Sequence, residues 1–300
     1  MLAISTAWNS DLHFDIRGML SQIQETGFDA IEIGCNFIPE RLEELIALVN
    51  TMKIKVVSMH NFCPLPPEPR PRRYFTDYYR LSSLNEPERS KAVEYTKKTI
   101  DTACLVSCRA VVIHAGTVEV RFDQTRELFR LYAEGKCGSK KYLQARNRIL
   151  ASREAAKKRH LQSVARSLEE VLVYANSAGI KIGLETRYYP NEIPNIEETE
   201  YFLKLFHNQG LVYWHDVGHA EVNQRFGIAS HEEYLQRFSK YMGGIHIHGI
   251  KGIDDHLAPF DGDFNLSKIT PYLRDDLIRV IETHPPATSQ QIKEAIKRLS

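Results

Sequence analysis

Several apolar runs in this chain stop on a side chain that can bind a metal or carry a proton. SMHNF offers His60, VVIHAG offers His114 and IGLETR offers Glu185. WHDVGHA supplies Asp216 and His219, GIHIHGI supplies His246, IDDHLAPFDGD supplies Asp254 and His256, and VIETH supplies Glu282. A charged group behind an apolar run costs desolvation energy unless something compensates it. Positions 185, 216, 246 and 282 are separated by 31, 30 and 36 residues, each about one strand-plus-helix unit. Two glutamates, an aspartate and a histidine form a mixed oxygen and nitrogen set that suits Mn²⁺, Zn²⁺, Mg²⁺ or Co²⁺. Three carboxylates in one pocket would raise one another's pKa unless a cation offset them.

The elements that must position these residues alternate along the chain. Short β-rich runs are expected at Leu2–Thr6, Ala30–Ile33, Lys55–Met59, Ala110–Ile113, Lys181–Leu184, Val212–Trp214, Gly244–Ile247 and Leu277–Ile281. Amphipathic helical stretches lie between them, such as Ile16–Thr26, Pro39–Met52, Glu88–Val106 and Glu197–His207. Eight units argue for a parallel sheet closed into a single (β/α)8 barrel spanning residues 1–300, a fold of about 250 residues plus insertions. A doubly wound sheet is the competitor, but Ala7-Trp8-Asn9-Ser10 after the first strand contains no GxGxxG turn. In a barrel, residues at the carboxyl ends of different strands meet in one pocket. His248 lies two residues beyond His246 on the same side of a strand, and so competes with it as a donor.

Two stretches break the spacing. Residues 63–81, CPLPPEPRPRRYFTDYYRL, read either as an irregular loop over the barrel mouth or as a lid supplying cations and rings. Residues 118–160, after the fourth strand, hold twelve Lys and Arg against five Asp and Glu. They read as a helical insertion continuing into a helix that ends near Ala178, with a solvated basic face and a surface available for self-association. A homo-oligomer is therefore one expectation.

The composition bounds the partners. The net charge is +1, so the chain as a whole has no bias toward polyanions. Five cysteines in no disulfide-like spacing suit reduced thiols in a cytoplasmic protein. Cys104 and Cys108, four apart on an expected helix, should share one buried face. No run of about 18 apolar residues predicts a membrane span, and the N-terminus has no signal-peptide pattern.

With these residues in view, the chain resembles the xylose-isomerase-like barrels, a group that includes sugar isomerases and epimerases and also endonuclease IV. The most specific marks are DVGH, Asp216 to His219, and His246 followed by DDHLAPFDGD. The resemblance to the epimerases implies one catalytic metal on Glu185, Asp216, His246 and Glu282, with His219 on the substrate. The resemblance to endonuclease IV implies three zinc ions on a larger set, which adds His60, His114, His219, Asp254 and His256.

Three functions follow from this resemblance. The first is a metal-dependent isomerase or epimerase of a sugar, sugar phosphate or hydroxy-keto acid, passing through a metal-stabilised enediolate. Glu185 and Glu282 would be its acid and base. His60, His114 and His219 would bind substrate, and Arg187 would pair with a substrate carboxylate or phosphate. The second is a zinc-dependent phosphodiesterase on abasic DNA, with the loop Arg70–Arg80 gripping the backbone. Thr186-Arg187 stands where endonuclease IV has Asn-Thr, and Cys63 stands near its usual tyrosine, which puts the second reading behind the first. The third is a non-catalytic ligand-binding barrel.

Overall fold

The computed structural model describes residues 1–69, 77–121 and 124–299. Eight parallel strands close into a barrel: β1 (Leu2–Ser5), β2 (Ala30–Ile33), β3 (Lys55–His60), β4 (Ala110–Ile113), β5 (Lys181–Glu185), β6 (Leu211–Asp216), β7 (Met242–Ile247) and β10 (Ile278–Ile281). β10 pairs with both β7 and β1, which closes the ring and excludes a doubly wound sheet. Each expected strand lies within a residue or two of an observed one. β3, β5 and β6 run long enough to hold His60, Glu185 and Asp216 as their last residues, so rigid backbone carries these donors.

The barrel interior explains why these strands are so apolar. Ala3, Ala30, Val57, Ala110, Val112, Trp214, Ile278 and Val280 form a buried cluster inside the ring, apart from the larger core between strands and helices. The indole of Trp214 fills the space that small neighbours leave. A Cβ on Gly183 would stand 2.7 Å from Trp214 Cε3, and the same indole leaves no room for one on Gly244. Trp214 therefore packs below the site, its ring 5.6 Å from that of His246.

Around the barrel run α1 (Ile16–Glu25), α2 (Pro39–Thr51), α3 (Glu86–Leu105), α4 (Thr125–Ala133), α5 (Lys140–Ser177), α6 (Ile196–Phe206), α7 (Val217–Arg225), α8 (His231–Phe238) and α9 (Ser289–Leu299). Their starts carry the expected capping chemistry: Asp15, Asn85, Ser139 and Asn195 each accept a backbone N–H of the first turn, and Asn195 forms a full capping box with Glu198. The alternation fails once. β7 is followed by an antiparallel hairpin, β8 (Gly249–Lys251) with β9 (Asp254–Leu257), and then by two short 3-10 turns.

The insertion resolves into α4 and the first half of α5, a 38-residue helix ending at Ser177. Buried Arg153 of α5 donates to both carboxylate oxygens of Glu198 at 2.7 and 2.6 Å, fastening the insertion to α6. The expectation for Cys104 and Cys108 fails. Cys104 is exposed on α3, whereas Cys108 lies past its end and is buried. No described helix is long and apolar enough to cross a membrane.

Candidate metal centre

Glu185, Asp216, His246 and Glu282 come together at the carboxyl ends of β5, β6, β7 and β10, all of them buried. His246 Nδ1 lies 2.7 Å from Glu185 Oε1, 2.8 Å from Glu282 Oε2 and 3.6 Å from Asp216 Oδ2. One imidazole nitrogen can offer a single proton, yet three carboxylate oxygens converge on it. Burial pushes the His246 pKa down, but Glu282, Glu32, Asp216 and Glu185 outweigh it and hold it well above its usual value. The converse holds for the acids. Burial pushes Glu185 and Asp216 up, and the imidazoles of His246 and His60 beside Glu185, and of His219 and His248 beside Asp216, bring both well below the carboxylate range. A proton on His246 thus fills the role of the cation that the crowded carboxylates call for.

His60, His114 and Glu185 form a second group around the other oxygen of the same glutamate. His114 Nε2 stands 2.6 Å from Glu185 Oε2 without hydrogen-bond geometry, and neither His114 ring nitrogen has a hydrogen-bond partner among the described residues. An acceptor nitrogen left without a donor beside a carboxylate oxygen suits ligation of a cation by both atoms. Burial, then the charge of Arg187, holds the His114 pKa well below normal, in the neutral form that ligates metals. His60 Nε2 lies 3.7 Å from Glu185 Oε2, with its ring edge-on to that of His114.

A third group lies at the rim: His219, Asp255 and His256. His219 is positioned twice. Its backbone N–H donates to Asp216 Oδ1 at 2.7 Å, where Asp216 caps α7, and its Nδ1 faces Thr186 O at 2.8 Å. Asp255 Oδ2 is 3.6 Å from His219 Nε2 and 3.8 Å from His256 Nε2. The acid facing both histidines is therefore Asp255. Asp254, the residue expected there, is outside this group, although both acids line the same cavity.

All three groups border one cavity of about 660 Å³, also lined by Arg187, Tyr188, Tyr189 and His284. Arg187 differs from expectation. Its guanidinium donates to Glu185 Oε2 and to Glu192 Oε1, each at 2.7 Å, so two carboxylates already engage it. The segment 70–76 of the Pro-rich loop, with Arg70, Arg72, Arg73 and Tyr74, lies outside the described residues.

Three residues escaped the sequence reading or were left open by it. Glu32, fully buried on β2, accepts from Ser58 Oγ at 2.8 Å and faces His246 Nε2 at 3.1 Å. Its signal was a charge inside the apolar run AIEI. His248 lies outside the three groups and faces both oxygens of Asp216 at 3.2 Å. Such partners fix the rotamer of a ligand and raise its basicity. His284 lines the cavity, its ring stacked on that of His256 at 4.1 Å.

The donor set, the unpaired His114 nitrogens and the excess of carboxylate over protons fit one or more divalent cations. The family model of xylose isomerase-like TIM barrels matches residues 20–300. The chain belongs to that family. A search of curated proteins returned no match. Among solved structures, this xylose isomerase-like barrel is similar to a D-tagatose 3-epimerase-like protein, at 22% identity over 99% of this chain and 95% of that one, with a TM-score of 0.64. It is also similar to 3-keto-D-glucoside 4-epimerase YcjR from E. coli, at 14% identity, 99% and 98% coverage and a TM-score of 0.69. D-psicose 3-epimerase from Clostridium cellulolyticum H10 gives 13% identity, 99% and 97% coverage and a TM-score of 0.66. Likenesses at these identities establish a common fold.

Proposed function

We propose that this protein is a divalent-metal-dependent isomerase or epimerase of a sugar or sugar-like substrate. The observation that carries the reading is the placement of Glu185 and Glu282. They stand at the ends of different strands, bracket one imidazole nitrogen at 2.7 and 2.8 Å, and face a single cavity. Glu185, Asp216, His246 and Glu282 would hold the cation. When bound, it supplies Lewis-acid polarisation of a carbonyl and its neighbouring hydroxyl, acidifying the carbon-bound proton between them. Glu282 would take that proton and Glu185 return one, or the reverse, depending on which face of the carbon each meets. His219, held by Asp216 and Thr186, would bond a substrate oxygen, with His60 and His114 on another. Arg187 keeps Glu185 ionised and oriented. The sugar epimerases among the structural neighbours support the substrate class.

The test is proton exchange. Incubated in D₂O with Mn²⁺ and the ketohexoses tagatose, psicose and fructose, the protein is expected to wash deuterium into the carbon beside the carbonyl, as read by NMR. The Glu282→Gln variant should not.

One observation favours a second reading. Three donor groups, two of them sharing Glu185, match a multi-ion hydrolase as well as a single-ion isomerase. In that reading the protein is a zinc-dependent phosphodiesterase acting on abasic DNA. Nicking of a duplex with one abasic site in Zn²⁺, together with no exchange on any ketose, would establish it over the first.

A further inference from the structure

We propose that Tyr189, backed by Phe129 and flanked by Tyr188, forms a stacking platform for a second ring, so that the preferred substrate is a keto sugar joined to a second ring and not a free monosaccharide. The proposal rests on the sugar reading above and names its substrate class. Tyr188 and Tyr189 directly follow Glu185, Thr186 and Arg187, and both line the cavity. Tyr189 is 47% exposed, a large open surface for a ring whose other side is covered. Phe129 provides that cover, stacked on Tyr189 at 5.7 Å between centroids and 24° between planes.

The two tyrosines are held firmly. Phe129 also contacts Tyr188 at 5.9 Å and Phe226 at 4.9 Å, which ties α4 of the insertion to the loop after β5 and the end of α7. Tyr188 meets Tyr189 edge-on at 4.8 Å, and its hydroxyl donates to Ile253 O at 2.7 Å. Glu192 Oε2 accepts the Tyr189 backbone N–H at 2.6 Å. Ordering cost is thus met before any ligand arrives.

A pyranose ring presents C–H groups on its faces and hydroxyls on its edge. An open aromatic face beside acids matches both, and Asp254 and Asp255 line the same cavity. Glu185 and Glu282, where the proton chemistry was placed, line it as well. A volume of about 660 Å³ falls well within the range of roughly 300–1,000 Å³ that accommodates drug-sized ligands, leaving room beyond one hexose. The insertion, on this account, is a specificity wall.

The experiment is calorimetric titration of the Mn²⁺-loaded full chain with glucose and with para-nitrophenyl β-D-glucoside. Wild type should bind the aryl glucoside about tenfold more tightly than glucose, the factor that roughly 1.4 kcal/mol of ring stacking represents. Tyr189→Ala should erase the gap, and Tyr189→Phe should keep it. Equal affinities in wild type, or a gap that survives Tyr189→Ala, overturn the platform while leaving the sugar reading intact. Saturable binding of neither sugar also overturns the platform, whereas the sugar reading falls only if no ketose shows exchange.

Discussion

The deep donors and the rim donors of this barrel are built differently. Glu185, Asp216 and His246 are residues of strands β5, β6 and β7, and Glu282 directly follows β10. Each strand is hydrogen-bonded to neighbours on both sides. Behind them stand Glu32 and His248, each bonded to one of the four. At the rim, His219 sits in the first turn of α7, and Asp255 and His256 sit on a two-stranded hairpin outside the barrel. The lesson is one of preorganisation: the deep group is positioned before any ion arrives, whereas the rim group depends on a hairpin holding its place.

The sharpest way to break this contrast is to remove a deep acid. Glu282→Gln should lower solvent exchange at the substrate carbon by about 10²–10⁴-fold with the circular dichroism spectrum unchanged. An equal loss from His256→Ala would put rim and depth on the same footing. Next in size is the support behind the deep group. Glu32→Gln removes the charge facing His246 Nε2 and should weaken ion binding by about 10–100-fold in a chelator competition. A full-strength site in that variant would mean His246 needs no carboxylate behind it.

The third expectation concerns pH. In the ion-free protein the His246 pKa is raised, so its proton contributes stability at low pH, and that contribution is lost as pH rises through the raised value. A cation must displace the same proton. Ion affinity should therefore strengthen with rising pH, by about tenfold per unit while one proton leaves per ion. Titrations between roughly pH 6 and pH 8 that show a flat affinity would remove His246 from the ligand set. The smallest effect separates the hairpin acids. Asp255→Asn should cost the rim group at most about tenfold in affinity, and Asp254→Asn should leave it unchanged. The reverse result would mean that β9 turns over when an ion binds.

The same contrast governs what the chain alone disclosed. Strand-end donors were readable because an ionisable residue closing an apolar run stands out, and because barrel closure brings all such ends together. DVGH marked Asp216 and His219, and spacing placed His246 and Glu282 in register with Glu185. Glu32 was hidden because it sits inside a strand, where alternation predicts a core residue. Asp255 stood only as the alternative to Asp254, because the spacing of two adjacent acids in a loop does not say which one meets the histidines. The partner of Arg187 was equally opaque: Glu192 lies five residues on, in a loop whose path no periodicity specifies. The insertion was legible as helix, but its contact with Tyr188 and Tyr189 is a matter of packing.

Metal content tests the central claim most directly. The purified full chain, dialysed against Mn²⁺ or Zn²⁺ and assayed by inductively coupled plasma mass spectrometry, should retain at least one ion per chain, and the Asp216→Ala, His246→Ala double variant should lose it. A wild-type chain that holds no ion at saturating metal would contradict the convergence of these donors on a cation.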